Sequence, residues 1–353
     1  MTPATAPGSW QALHIHYAAN PRPLMNECVT PLVERLTADG LLENHFFINY
    51  WLEGPHVRLR LKPSSQQAAP EVLHRAETAV AAFLRERPAL YEVDSSGFLN
   101  DFYNTLFDLE FPEEERAAYL GPDGRMKLRP NNSFFRMPYE PEYGKYGGPA
   151  GVGLAEWHFR HSSELVMAAV RGMNLHLRTV RLGTAAQLMM VMAGCFLPDR
   201  ERLAQYLDRY HAFWHRAFSG TGLIGTDEYE RACASTGTGP ALSRRFAAVL
   251  DALAAGEHER LPGFLRGWAG HCTQLRERAA GLAVRGELVF RSWDGARDET
   301  VTDPAEALPL LLSPYMHMTN NRLHVTIRDE AYLSYALGRA LRAPDAAAPG
   351  DEP

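Results

Sequence analysis

Residues 46–62 read FFINYWLEGPHVRLRLK, two strand patterns that meet across a turn. Phe46–Leu52 is aromatic and apolar throughout, as a strand covered on both faces would be. Glu53-Gly54-Pro55 is a turn signal. His56–Lys62 then alternates cleanly. Period two puts His56, Arg58, Arg60 and Lys62 on one face and Val57, Leu59 and Leu61 on the other. Such a row of charges has two readings. Arg58 and Arg60 on one face make an anion cradle, because a guanidinium grips a carboxylate through two parallel hydrogen bonds. The row is equally the solvated face of an edge strand, where Lys and Arg blunt aggregation. Spacing alone favours the second reading.

Working outward, Trp10–Tyr17 alternates Leu13, Ile15 and Tyr17 with His14 and His16, a strand pattern. A helix is expected from Thr30 as N-cap, with Pro31 in its first turn, to near Gly40. Periodicity predicts another over 71–87. Beyond that the chain reads as mainly helical, over roughly 152–172, 176–197, 200–218, 240–255, 262–284 and 328–342, with a short strand near Glu287–Trp293 returning to the sheet. The expected fold class is α+β: a mixed β-sheet mainly from the N-terminal half, with a largely helical C-terminal half packed on it. Residues 9–343 are expected to form one domain, with a mild division at the Gly/Pro-rich stretch Tyr143–Gly153. Residues 1–8 and 344–353, rich in Ala, Pro, Gly and Asp, are expected to be disordered tails.

The bulk chemistry removes several classes of function. Hydrophobic residues make up 46 % and charged residues 22 % of 353, the balance of a globular chain that buries a core. A net charge of −6 argues against a general nucleic-acid or anionic-membrane surface. Cys28, Cys195, Cys233 and Cys272 form no CxxC pair, which fits a reducing cytoplasm and gives no zinc signature. The start MTPATAPGSW has no secretory pattern. The most apolar stretch, Ala185–Leu197, reads as a buried helix too short to span a bilayer. There is no GxGxxG, Walker A, HExxH or GxSxG motif. His158 and His161, like His211 and His215, have helical ligand spacing but no evident third ligand, so no metal is expected.

Three further stretches hold groups capable of chemistry. In YEPEYGKYGG (139–148), adjacent glycines after aromatics suggest a tight turn, with Lys145 adding positive charge or simply exposed. In AEWHFRHSS (155–163), Glu156 near a helix start either serves the helix dipole or pairs with an arginine. In SPYMHMTNNRL (313–323), His317 between two methionines has the partly apolar setting that tunes an acid–base imidazole, and equally that of a satisfied core histidine. Asn321 and Arg322 either orient it or cap a helix end.

Taken in order, FFINYW (46–51), GPHVRLR (54–60), YEPEYGKYGG (139–148), AEWHFRHSS (155–163) and HMTNNRL (317–323) resemble the thiopeptide-type bacteriocin biosynthesis domain, as a stand-alone member. The same domain forms the C-terminal elimination part of lantibiotic dehydratases. The resemblance implies a cytoplasmic enzyme maturing a ribosomally made precursor peptide bearing a leader, without a cofactor, membrane or nucleic acid. Its first implied reaction is elimination of glutamate from glutamylated Ser or Thr to give dehydroamino acids. A separate glutamyl-tRNA-dependent glutamylation protein would then be a partner. Arg58 and Arg60 would hold the glutamyl carboxylate and His317 would move the proton. His56, Lys145, Tyr139, Tyr146, Glu156, Asn321 and Arg322 would bind substrate. The alternative is an aza-[4+2] cyclase that joins two dehydroalanines into a pyridine and releases the leader. A third reading is a non-catalytic partner binding the leader at an edge strand. Two departures bear on the choice: the family's RYGG is Lys145-Tyr146-Gly147-Gly148 here, and Asn49 stands where FFIRY carries arginine.

Overall fold

The computed structural model describes residues 9–90, 106–107, 111, 113–122, 124, 126–218, 238–292, 295 and 297–343. Both expected tails and Cys233 lie outside these. The fold class is α+β, as the sequence predicts. The chain divides into two compact units, Met1–Pro141 with Glu156–Leu175, and Glu142–Ala155 with His176–Pro353. It first changes unit between Pro141 and Glu142.

The first unit is built on a four-stranded sheet of order β2-β3-β1-β4, with every pairing antiparallel. Its strands are β1 (Gln11–His16), β2 (Leu42–Tyr50), β3 (His56–Pro63) and β4 (Ser133–Arg136). β4 is only four residues long, too short for alternation to reveal. β3 is therefore an interior strand, and the edge-strand reading of its charges fails. Leu13, Ile15, Phe47, Val57, Leu59 and Leu61 are all essentially buried and make the apolar face. Helices α1 (Thr30–Ala38) and α2 (Ala69–Glu86) pack against the sheet. On α2, Val72, Ala76 and Val80 recur at intervals of four, which keeps them on one helical face. Thr30 is not an N-cap: a π-helix, Leu24–Val29, runs straight into α1 through helical Val29. Buried Leu24, Met25, Cys28 and Val29 anchor that entry.

The second unit is helical around α6 (Arg178–Phe196), which touches α8 (Thr238–Ala254), α9 (Gly263–Val284), α10 (Pro304–Arg322) and α11 (Ile327–Arg342). Helix α7 (Arg200–Ala217) packs along α11. At 19 residues α6 is longer than the apolar run suggests and has the length and composition of a membrane span. However, 67 % of its most apolar window is buried, so it is the core of this unit. No helix is predicted over 304–322, where Pro309 and Pro314 interrupt the pattern. There α10 is held from both sides, with Leu311, Leu312, Tyr315 and Met316 buried, and Asp303 caps it at the Ala305 N–H. β5 (Val289–Arg291) does not return to the sheet; it pairs with β6 (Asp298–Thr300) in a separate hairpin. Two short helices, α3 (Glu113–Arg116) and α4 (Tyr143–Tyr146), and the long α5 (Gly148–Gly172) complete the chain. α5 gives its residues through Ala155 to the second unit and those from Glu156 to the first.

Candidate functional site

Cross-strand register assembles the polar face of the first unit. His56 lies opposite His16 and Tyr50, Arg58 opposite His14 and Ile48, and Arg60 opposite Ala12 and Phe46. Directly opposed residues share a face. The face thus carries three histidines and two arginines, of which only Arg58 is not fully buried. His14 and His56 stack at 4.9 Å between ring centroids, and His16 lies 4.5 Å from His56.

Burial next to two guanidiniums keeps these imidazoles neutral. His14 is lowered to about 2, by desolvation first and then by Arg58 and Arg60. His56 is lowered to about 3 and His16 to about 4, desolvation leading in both, with the charge of Arg129 second for His16. The His56 tautomer follows from its partners. Nδ1 is 2.8 Å from the Gly54 carbonyl, which can only accept, so the proton is there. Nε2 then accepts from Arg58 Nε at 3.3 Å. Arg58 also lies over Tyr50, with Cζ 3.4 Å from the ring centroid.

Arg60 differs. It is 5 % exposed, its Cζ is 5.6 Å from the Tyr139 ring, and its Nε and Nη1 have no hydrogen-bond partner among the described residues. Burial, then Arg58, lowers its pKa to about 10, so it remains a cation at neutral pH with donors unused. A buried guanidinium in this state is a ready anion receptor.

Beside it, Trp10, Phe46 and Tyr139 form an edge-to-face aromatic cluster, with centroids 5.1 to 5.9 Å apart. Glu156 lies against this cluster and accepts from Tyr139 and Trp10 rather than pairing with an arginine. Desolvation raises its pKa, and those two hydrogen bonds partly offset the rise. Glu156 is also the ninth residue of α5, well past the first turn, so the helix-dipole explanation lapses. Ser163 accepts from the Phe47 N–H at 3.3 Å, tying α5 to β2.

The remaining predicted residues belong to the second unit. Lys145 is exposed and paired with Glu142 at 3.3 Å. Tyr146 is buried and stacks on Tyr315, with centroids 6.1 Å apart. The turn after it is as tight as the paired glycines suggest: Gly147 has φ +84°, and a Cβ there would lie 2.9 Å from Leu288. Arg322 is buried near Tyr146, with Nη1 donating to the Met318 carbonyl at 2.8 Å; burial lowers its pKa to about 9. Asn321 uses its backbone carbonyl to accept from the His324 N–H at the helix end.

His317 sits on α10 with its ring 5.5 Å from Trp214 and Nδ1 3.0 Å from Glu330 Oε2. The other carboxylate oxygen accepts from the Tyr210 hydroxyl at 2.5 Å. Sequence reading passed over this pair. Glu330 is thirteen residues from His317, on the next helix, and looks like an ordinary acidic residue in a helix's first turn. The first unit's missed residues, Trp10, His14, His16 and Tyr50, were within reach, since the alternation of β1 already put both histidines on one side.

Among the described residues no three His, Cys, Asp or Glu side chains are placed to share a metal. His161 Nδ1 is occupied by the Trp157 carbonyl at 3.0 Å and His211 Nδ1 by that of Ala331 at 3.1 Å.

Residues 10–341 match the family described as lantibiotic biosynthesis dehydratase C-term. The chain belongs to this family. Among solved structures, the dehydratase C-terminal fold is shared with the pyridine synthase TbtD from thiomuracin biosynthesis, with a TM-score of 0.69, 23 % identity, and 94 % of this chain and 97 % of that one covered. TsrL aligns with a TM-score of 0.63 at 17 % identity, covering 94 % of each chain. The tRNA-dependent lantibiotic dehydratase MibB from Microbispora sp. 107891 aligns with a TM-score of 0.49 at 16 % identity. That match covers 96 % of this chain and 28 % of MibB. No curated protein sequence matches the chain.

Proposed function

We propose that this member of the dehydratase C-terminal family is a pyridine-forming cyclase, joining two dehydroalanines of a ribosomally made precursor peptide and releasing the leader. This reverses the order in which the sequence ranks the two reactions. The observation that carries it is the state of the cations. Arg58 is committed to Tyr50 and His56, Lys145 is exposed and paired with Glu142, and Asn49 supplies no charge. Of the two arginines expected to hold the glutamyl carboxylate, only Arg60 has buried donors without a partner among the described residues. The cyclase needs less charge. It must hold two alkenes close and polarise an amide toward its iminol form, which depends on proximity and a few hydrogen bonds. His317 supplies the proton acceptor. End-to-end likeness to a pyridine synthase points the same way at the level of fold.

Glutamate elimination is kept as a second reading because buried Arg60, whose Nε and Nη1 have no partner among the described residues, suits a carboxylate. One experiment separates the two. The protein is incubated with a leader-bearing peptide containing two dehydroalanines, and with one carrying glutamylated serines, and each is followed by mass spectrometry. Leader release with a pyridine macrocycle from the first peptide is the expected result. Loss of glutamate from the second, with the first unchanged, would establish the eliminase instead. Binding of both without a mass change would favour a leader-binding partner.

A further inference from the structure

We propose that Glu330, held by Tyr210, is a positioning residue that fixes His317 with its proton on Nδ1 and its lone pair on Nε2. Glu330 is 1 % exposed, and a carboxylate so placed is costly unless both oxygens are satisfied. One oxygen faces His317 Nδ1 at 3.0 Å and the other accepts from Tyr210 at 2.5 Å. The Tyr210 phenol is pushed well above its ordinary pKa by burial and then by the Glu330 charge, so it serves as a donor. An ionised carboxylate only accepts, which places a proton on the imidazole nitrogen facing it. His317 Nε2 makes no hydrogen bond among the described residues, and the side chain is 28 % exposed, so its lone pair stays available.

Three elements over-determine this geometry. Tyr210 and Trp214 are four residues apart on α7 and present the donor and the ring to the same place. α10 supplies His317, and α11 supplies Glu330, whose carbonyl also accepts from Ser334 at 2.8 Å. The catalytic consequence rests on the proposed function. The amide N–H proton would move to Nε2 as the N–H electron pair forms the C=N bond and the C=O π pair moves onto oxygen. The same proton would then return to the carbonyl oxygen, leaving the iminol and neutral His317. Glu330 would face the transient imidazolium, as a carboxylate orients histidine in acid–base catalysis.

The test is nitrogen NMR on the full chain with 15N-labelled histidine and no substrate, assigning His317 from the signal lost in His317→Asn. The expected spectrum is the Nδ1–H tautomer. Glu330→Ala should move it toward Nε2–H and lower turnover on the order of ten- to a hundredfold, with KM little changed. Glu330→Gln, whose amide oxygen still accepts from Nδ1–H, should restore both. An Nε2–H tautomer in the wild type would overturn the proposal, as would an unchanged Nδ1–H signal in folded Glu330→Ala. If Glu330→Ala does not fold, the wild-type and Glu330→Gln tautomers decide by themselves. Because the tautomer is read without substrate, its result stands even if the peptides reveal a different reaction.

Discussion

Replacing Arg60 by methionine should make the protein more stable while removing its anion receptor. The pKa of Arg60 falls from its ordinary value to about 10, which corresponds to about 3 kcal/mol of destabilisation of the charged form in the folded state. Methionine keeps the unbranched stem and fills most of the same volume without charge. The substitution gives up the contact with Tyr139, worth about 0.5–1 kcal/mol. The net expectation is a gain of about 2 kcal/mol, in line with the outcome of replacing buried ions by apolar side chains of similar size. For a unit of this size that raises the melting temperature by about 4–8 °C. The pH dependence has a definite sign. Below about pH 10 the guanidinium is charged both folded and unfolded, and the full penalty applies. As pH rises through the folded value the native state sheds its proton first and the penalty fades, so the two proteins should converge above pH 10. The assay is urea unfolding followed by tryptophan fluorescence and far-UV circular dichroism, at pH 7 and above 10. A loss of 1 kcal/mol or more in Arg60→Met at pH 7 would show that the charge is compensated, and the receptor argument would fall.

Two further outcomes follow from the same face and from the turn beyond it. His14, His16 and His56 have folded pKa values below the unfolded 6.5, so below pH 6.5 the unfolded chain takes up protons that the native state refuses. Stability should therefore fall on acidification by about 1.4 kcal/mol per pH unit for each histidine, His16 dropping out near pH 4. His14→Phe should flatten that slope between pH 6 and 5, and an identical slope in urea midpoints would count against neutral burial. Gly147→Ala must adopt positive φ and press a methyl against Leu288. A loss of about 1–3 kcal/mol is expected in the same unfolding assay, and a neutral result would mean that the turn relaxes.

Much of the first unit was legible because a strand's side-chain period is two and its polar residues are easily counted. The alternation of His56–Lys62 placed Arg58 and Arg60 together before any coordinates. It did not reveal that the face is buried, because burial depends on which strands flank β3, and the four-residue β4 gives little signal. In the second unit α10 was hidden by Pro309 and Pro314. A helix that packing holds on several sides tolerates the hydrogen bonds that proline removes, and that packing comes from α6 and α9, distant in sequence.

The sequence by itself determined the family, the α+β class, the two guanidiniums on one strand face and the candidacy of His317, all of which are local patterns or ordered motifs. Tertiary structure decided which of these groups are spent and which are available. Only the folded sheet shows Arg58 lying on Tyr50 while Arg60 keeps unused donors, and only the packing of α7 and α11 beside α10 gives His317 a carboxylate. The physical reason is common to both. The state of an ionisable side chain is set by dielectric and by partners within a few ångströms, and those partners come from other strands and helices.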